Sequence, residues 1–224
     1  MVLASDIIVQ VAGDLRDTGF VRWTKADHYQ YITAAKRTLV MIRPDAFSVT
    51  VPFCLIPFST RQQLPSNGVS VIDIVRNMGA DGNTPGAPVT VTTKAALDES
   101  NINWHTDTWT TEVTNFCFDE RSNRSLFITP PPANGVFVEL VYSKLPVPVV
   151  ADTDVIDTDD IFFTVLIDYC LFKAYSRNND SQGDAEKAKM HLATFLSALG
   201  QSQQASMLMS PNTSTLGTSK EAKK

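Results

Sequence analysis

The chain has 224 residues, of which 43% are hydrophobic and 19% are charged, and its formal charge is −5. That much apolar surface offsets the entropy of ordering a backbone, so the composition excludes a largely disordered chain. The net negative charge argues against a dedicated nucleic-acid binder, because affinity for phosphate comes largely from Lys and Arg.

Two helices are predicted at the start of the chain. Apolar residues recur at helical spacing between residues 3 and 16. Thr24, followed three residues later by Asp27, predicts the capping box of a second helix, which Pro44 ends. The buried stripe of this helix is predicted to consist of Tyr29, Ile32, Ala35, Leu39 and Ile42, with Lys25, Lys36 and Arg37 lying largely off it.

A β region is predicted to follow. From Phe47 to Leu55 apolar residues occupy every second position, which is typical of a strand. Further strand-like runs occur at 69–75, 89–93, 112–118, 126–129 and 136–142, separated by turn signals at Asn67-Gly68, Asp81-Gly82-Asn83, Pro85-Gly86 and Asn134-Gly135. About 100 residues without a helical period predict a small antiparallel sandwich or barrel.

Helical spacing returns after an acidic, proline-containing stretch. Residues 160–176 are apolar nearly all round, so this helix must be enclosed on most sides. Beyond a turn at 177–180, Ser181 is predicted to cap a last helix that ends at Gly200. The polar segment 201–224 has no period and is predicted to be a flexible tail.

Together these elements predict an α+β fold in which a β domain is inserted into a helical bundle. The helices before and after the β region must pack on each other, because none of their apolar stripes can face water alone. The predicted division is 1–45 for the N-terminal helices, 46–150 for the β sandwich or barrel, 151–200 for the C-terminal helix hairpin and 201–224 for an extended or disordered tail.

Candidate metal ligands are scattered. The histidines lie in different segments and are expected to be surface or locally bonded residues; they are His28, His105 and His191. Asp152, Asp154 and Asp157 resemble part of a calcium loop but lack its Gly and its Glu. We expect these aspartates to complement a helix dipole instead, so the sequence predicts no metal and no cofactor.

Candidate catalytic groups are equally sparse, and no enzyme is predicted. The carboxylate pairs Asp98-Glu99 and Asp119-Glu120 are expected in solvated turns. Trp104 and Trp109 either form an aromatic platform for a sugar or peptide or belong to the core or an interface, and we favour the second alternative. The cysteines are expected to be reduced core residues: Cys54, Cys117 and Cys170.

No membrane span or signal peptide is expected. The longest apolar run, 161–172, is interrupted by Asp168 and is shorter than the roughly 20 residues that a span requires. A carboxylate in so apolar a helix needs a partner. Two alternatives are open: Arg22 or Arg37 of a neighbouring subunit, or a residue of the same chain.

Several short motifs, in a fixed order over roughly residues 5–200, carry a family resemblance. They are Arg22-Trp23-Thr24, Gln63-Leu64-Pro65, Val75-Arg76-Asn77, Leu97-Asp98 before Trp104, Ile128-Thr129-Pro130-Pro131, Leu140-Val141-Tyr142-Ser143, the segment 168–176 and the helix end from His191 to Gly200. In this order they resemble the head-to-tail adaptor (connector) proteins of short-tailed bacteriophages. The segment 201–224 carries none of these motifs.

This resemblance implies a structural virion protein at the head-tail junction, assembled in the host cytoplasm. The implied assembly is a homo-oligomeric ring, usually dodecameric, between the portal protein and the tail tube or nozzle, with a channel through which DNA passes without specific binding. Portal-docking candidates are Met207, Leu208, Met209, Lys220, Lys223 and Lys224. Subunit-interface candidates are Arg22, Trp23, Arg37, Phe162, Asp168 and Tyr175.

Rival functions remain open on the sequence. Another tail component, such as a nozzle or tube protein, should be mostly β throughout, whereas this chain has strong helical patterns at both ends. A carbohydrate-binding module or a hydrolase needs convergent polar or ionisable groups in a pocket.

Overall fold

The computed structural model describes residues 2–119, 121–177 and 182–209, which divide into two compact units. The first unit takes the residues up to Arg43 and those from Val147 onward, and we call it the helical unit. The second spans Pro44–Pro146, and we call it the β unit. The named strands lie in the β unit, and the α-helices lie in the helical unit except for one short helix at Lys94–Ser100, so the fold is mixed α/β.

Five α-helices occur in the described residues: α1 Ala4–Asp14, α2 Lys25–Ile42, α3 Lys94–Ser100, α4 Phe163–Arg177 and α5 Gln182–Met209. α4 contacts α1, α2 and α5, which encloses the apolar surface that its composition requires to be buried. Its buried side chains include Leu166, Ile167 and Cys170.

The start of α2 confirms the predicted capping box. Thr24 Oγ1 accepts the Asp27 N–H at 3.3 Å, and Asp27 Oδ2 accepts the Thr24 N–H at 2.9 Å. The predicted buried stripe was wrong in part, because Tyr29 is half-buried and Ile42 is exposed. The face that is buried consists of His28, Tyr31, Ile32, Ala35, Lys36, Leu39 and Val40.

α5 continues well beyond the predicted helix end at Gly200. A glycine inside a helix costs about 1 kcal/mol relative to alanine, which is too little to stop a helix whose next residues are Gln, Ser and Ala. Before that glycine, Ala188, Phe195 and Leu199 of α5 are buried. The backbone at 201–209 is therefore helical rather than part of an irregular tail.

The β unit contains eight strands in two four-stranded sheets: β1 Ser48–Cys54, β2 Arg61–Gln63, β3 Gly68–Met78, β4 Pro85–Pro88, β5 Thr90–Val91, β6 Asn115–Phe118, β7 Ser125–Thr129 and β8 Phe137–Lys144. One sheet has the order β1-β8-β3-β4 and the other β2-β7-β6-β5. Neither sheet closes into a barrel within the described residues, so the barrel alternative is excluded.

Three features of the β unit differ from the sequence prediction. β5 pairs with β6 in parallel, so the expectation of an all-antiparallel unit was wrong. Pro85-Gly86 lies in β4 rather than in a turn, and α3 and β2 were not predicted. Side chains from both sheets nevertheless form one buried cluster, which includes Ile74, Phe116, Ile128 and Leu140.

Candidate docking surfaces

The connection between α1 and α2 is fixed to α4. Asp17 accepts the backbone N–H groups of Val21, Arg22 and Trp23 at 2.9–3.0 Å, and these bonds, that of Trp23 above all, hold the pKa of Asp17 below its usual range. The Trp23 Nε1–H donates to the Ala174 carbonyl at 3.3 Å, and its ring is almost fully buried. Arg22 stacks on that ring at 4.8 Å and remains exposed.

Aspartates of the acidic stretch before α4 accept hydrogen bonds from other residues of the helical unit. Asp152 accepts hydrogen bonds from Lys25 and from the Tyr29 hydroxyl, the latter at 2.8 Å, so its pKa lies below the usual range. Asp154 Oδ2 accepts the N–H groups of Val150 and Ala151 at 2.7 and 2.9 Å. Because the carboxylates of Asp152 and Asp154 accept these hydrogen bonds instead of lying at a helix N-terminus, the helix-dipole interpretation was wrong for them.

Lys36 and Asp157 form a buried ion pair, although Lys36 was predicted to lie off the buried stripe. The Lys36 side chain is 1% exposed, and its Nζ lies 2.5 Å from Asp157 Oδ1. Lys36 Nζ also donates to the Val147 carbonyl at 2.6 Å, and Asp157 Oδ2 accepts the Val147 N–H at 3.1 Å. A buried ammonium is tolerated when its charge and donors are satisfied in this way.

His28 is a core residue, so the expectation of a surface or locally bonded histidine was wrong for it. Its ring packs edge-on against Phe20 at 5.7 Å and Tyr31 at 6.2 Å, and its Nε2 has no hydrogen-bond partner. Burial lowers the pKa of His28 below its ordinary value, against the opposing pull of the Asp27 and Asp17 carboxylates. Burial of the imidazole therefore disfavours its charged form.

Asp168 has a partner in its own chain, which is one of the two alternatives that the sequence left open. Its Oδ1 lies 2.9 Å from His191 Nδ1, across the contact of α4 with α5. Tyr175 stacks on the His191 ring with a centroid distance of 5.8 Å and an interplanar angle of 6°. Lys187 Nζ lies 5.2 Å from the Tyr175 centroid. This polar cluster fixes the register of the two helices.

The remaining subunit-interface candidates, Phe162 and Arg37, differ in how exposed their side chains are. Phe162 is almost fully buried, with the Arg43 guanidinium 5.9 Å from its ring, and therefore belongs to the core of the helical unit. Arg37 is exposed and makes no ion pair with any residue that the structure describes. Of the tail candidates, Met207, Leu208 and Met209 lie on the last turns of α5, and Lys220, Lys223 and Lys224 lie outside the described residues.

An open groove of 460 Å³ lies beside Arg37 on the helical unit. It is lined by Gln30, Thr33, Ala34, Arg37, Thr38, Pro148, Val149 and Tyr169. Its walls are held by two hydrogen bonds: Val149 N–H donates to Thr33 Oγ1 at 2.9 Å, and the Thr38 hydroxyl donates to Tyr169 Oη at 3.0 Å. The groove therefore combines an apolar floor with the Arg37 guanidinium, which has no ion-pair partner in the part of the chain that the structure describes.

An exposed aromatic pair lies on the β unit, and the sequence reasoning missed it. The rings of Phe58 and Trp109 meet edge to face with centroids 5.7 Å apart, although their side chains are 61% and 56% exposed. Phe58 has φ of 58°, in the left-handed region, which costs a non-glycine residue roughly 1 kcal/mol. A strained backbone that turns a large apolar side chain toward solvent calls for a functional explanation.

The backbone around this pair is held rigidly. Gln62 is fully buried, and its amide makes three hydrogen bonds to the backbone at 56–59, with distances of 2.6, 3.0 and 2.7 Å. Phe58 N–H donates to the Pro132 carbonyl at 2.8 Å, and Thr110 N–H donates to the Pro131 carbonyl at 3.0 Å. Both aromatic residues are thus positioned before any partner arrives.

The two tryptophans do not form a shared platform. Trp104 is 1% exposed and donates its Nε1–H to Asp98 at 2.8 Å, which confirms the core interpretation for this residue. Trp109 is the exposed member. Asp98 lies in α3 rather than in a turn, and Asp119 accepts the Ser125 hydroxyl at 3.1 Å in the turn between β6 and β7. Glu120 lies outside the described residues.

Two of the three cysteines are buried as expected, and Cys54 is not. Cys117 and Cys170 are buried free thiols, and burial raises the pKa of each. Cys54 is exposed, because its side chain points outward from β1, where alternate residues face the core. Among the described residues, no cluster of three or more His, Cys, Asp or Glu is placed to hold a metal, and no helix is long and apolar enough to cross a bilayer.

Comparison with known proteins agrees with the resemblance carried by the motifs. A family model described as SU10 adaptor protein matches residues 3–215, which is nearly the whole chain. No curated protein matches the chain. The family model extends past Gly200 and includes the last turns of α5. The chain belongs to the SU10 adaptor protein family and is a phage structural adaptor, a component of the virion.

Proposed function

We propose that this chain is a head-to-tail adaptor that forms a ring, of twelve copies by analogy with similar connectors, between the portal protein and the tail tube or nozzle. DNA passes through the lumen of the ring during ejection, and assembly takes place in the host cytoplasm. The observation that carries the proposal is the family match over residues 3–215. As its structural framework we propose a helical bundle with an inserted β sandwich and a C-terminal docking segment, with the divisions expected from the sequence at 1–45, 46–150, 151–200 and 201–224.

The charge of the chain supports a conduit for DNA. A formal charge of −5 disfavours adhesion to phosphate, and attraction to the lumen wall would slow the passing genome. Many of the carboxylates near the surface have local partners, such as Asp152 with Lys25. A ring of chains with net negative charge is therefore expected to bind passing phosphate weakly.

We propose further that residues 201–224 dock on the portal, with Met207, Leu208 and Met209 as apolar anchors and Lys220, Lys223 and Lys224 as charged contacts. Because α5 runs to Met209, the anchors are carried on helical backbone, as in recognition modes where a helix lies in an apolar groove. Arg22, Arg37 and Tyr175, which keep exposed or partly exposed side chains, are the candidates for contacts between subunits.

Native mass measurement of the full chain, alone and mixed with purified portal protein, tests the proposal. We expect a ring of defined stoichiometry on the portal. A chain that remains a monomer and does not bind the portal would contradict the adaptor function. If a parallel mixture with purified tail protein shows that the chain binds the tail protein but not the portal, the rival assignment as a nozzle or tube protein is supported.

Truncation tests the docking segment. A chain ending after Met209 separates the helical anchors from the lysine-containing end, and a chain ending after Gly200 removes both. We expect both to fold, because Ala188, Phe195 and Leu199, the side chains of α5 that the structure describes as buried, precede both truncation points. We expect portal binding to weaken in two steps. Unchanged portal binding by the shorter chain would refute the role of the segment.

A further inference from the structure

We propose that Phe58 and Trp109 of one copy insert into the α2 groove of the next copy, so that this contact joins neighbouring subunits. The α2 groove is the 460 Å³ groove beside Arg37 described above, and we call Phe58 and Trp109 the aromatic knob. The inference rests on the proposed ring and names the contact that would close it.

The aromatic knob has the properties of an interface anchor. Its two rings are exposed and already packed against each other, and the loop beneath Phe58 is braced by the buried Gln62 amide. Aromatic side chains on a rigid backbone lose little conformational entropy on binding, and residues of this kind dominate interface energies. Within the β unit no described residue covers them.

The α2 groove matches the knob in size and character. Its volume lies within the roughly 300–1,000 Å³ typical of ligand pockets, which leaves room for aromatic side chains. Ala34, Pro148 and Val149 supply an apolar floor, and the Tyr169 ring supplies an aromatic wall. The Arg37 guanidinium at the groove has no ion-pair partner among the described residues and can stack on an incoming ring.

Charge distribution favours a second copy as the occupant of the groove. Asp107 and Glu112 flank Trp109 along the chain, and both are exposed. They give the knob a negative rim, whereas Arg37 gives the α2 groove a positive one. The two surfaces are therefore complementary in charge, and each copy carries both of them.

The contact is heterologous, because the knob and the groove are different surfaces of the same chain. Heterologous contacts propagate, and they form a closed ring when the rotation between neighbours closes. An adaptor ring requires a contact of this kind.

Trp109 reports directly on the contact. The chain has three tryptophans, and Trp23 and Trp104 are 4% and 1% exposed, so a change in emission on association comes from Trp109. We expect the emission of the full chain to shift to the blue as the concentration rises, in step with association measured by sedimentation velocity. A shift independent of concentration, or association without any shift, would overturn the proposal, and so would a chain that shows no self-association.

Variants of the two surfaces test the pairing. The double variant Phe58→Ala, Trp109→Ala and the variant Arg37→Glu should each weaken self-association by about thirtyfold or more, since interface anchors typically have effects of this size. Ile102→Ala, in the same unit as the knob, and Lys189→Glu, in the same unit as the groove, are matched exposed controls that should associate as the original chain does. Circular dichroism confirms that each variant is folded.

Mixing the two defective variants gives the sharpest result. The Arg37→Glu chain keeps its knob and the double variant keeps its groove, so a mixture should form one-to-one dimers and nothing larger. Growth of larger assemblies in the mixture, or normal self-association of either variant, would contradict the assigned contact. If these variants still form rings on the portal, the contact is wrong while the proposed adaptor function stands.

Discussion

Replacing Asp157 in the buried Lys36–Asp157 pair should lower the free energy of unfolding more than replacing Lys36 does. Asp157→Asn keeps the shape of the side chain but leaves the Lys36 ammonium, 1% exposed, without a counter-charge. Breaking a buried pair in this way typically destabilises by 3–5 kcal/mol, and the Val147 carbonyl that Lys36 retains places the expected cost at about 3 kcal/mol. Lys36→Met removes the buried ammonium and leaves Asp157, whose side chain is 16% exposed and whose Oδ2 still accepts the Val147 N–H, while its buried Oδ1 loses its counter-charge. The cost of Lys36→Met should be about 1–2 kcal/mol, because the remaining carboxylate is only partly desolvated.

Urea unfolding followed by far-ultraviolet circular dichroism measures both effects, because the helices of this unit dominate the signal. The double variant should be about as stable as Lys36→Met alone, since the Asn no longer faces an unpaired ammonium. If Lys36→Met costs as much as Asp157→Asn, or if the two effects add, the pair does not function as a buried charge and its partner, and the reasoning is refuted.

Three further predictions follow from burial and backbone geometry. His28 has a lowered pKa, so the unfolded chain binds a proton more readily, and the free energy of unfolding should fall as the pH drops below 6.5; His28→Leu should flatten this dependence in pH-dependent melts. A Cβ at Gly200 meets open space, so Gly200→Ala should stabilise α5 by about 0.5–1 kcal/mol in thermal unfolding, whereas a neutral or negative effect would argue that the helix ends there. With a thiol reagent, Cys54 should react rapidly in the folded chain and Cys117 and Cys170 only after unfolding.

The sequence predicts structural features that depend on residues close together in the chain. It does not predict features that depend on contacts between residues far apart in the chain. The capping box at Thr24 and the alternation of β1 are local patterns, and both occur as predicted. The burial of Lys36 depends on Asp157, which is remote in the chain, and no helical periodicity reveals it. The parallel pairing of β5 with β6 is likewise set by chain connections rather than by composition.

The interface candidates show the same limit. Residues that looked unusual in sequence, such as Trp23 and Asp168, are used inside the helical unit, since Trp23 bonds to Ala174 and Asp168 to His191. Phe58 stands between a proline and a serine in a short loop without periodicity, so nothing local identifies it as exposed. Its exposure follows from the left-handed backbone conformation, which only the folded loop imposes.

Replacing Phe58 by glycine separates a structural role for this residue from a docking role. Glycine adopts φ of 58° without steric cost, and the Phe58 side chain is 61% exposed, so little buried contact is lost. Phe58→Gly should therefore leave the β unit as stable as before or more stable by up to about 1 kcal/mol, although association between copies weakens. A core residue behaves in the opposite way, because large-to-small changes there cost about 3–5 kcal/mol. If thermal unfolding shows that Phe58→Gly lowers the free energy of unfolding by more than about 1 kcal/mol, the Phe58 side chain stabilises its own chain. If stability instead rises while association between copies weakens, Phe58 shows the trade-off expected of a strained functional residue.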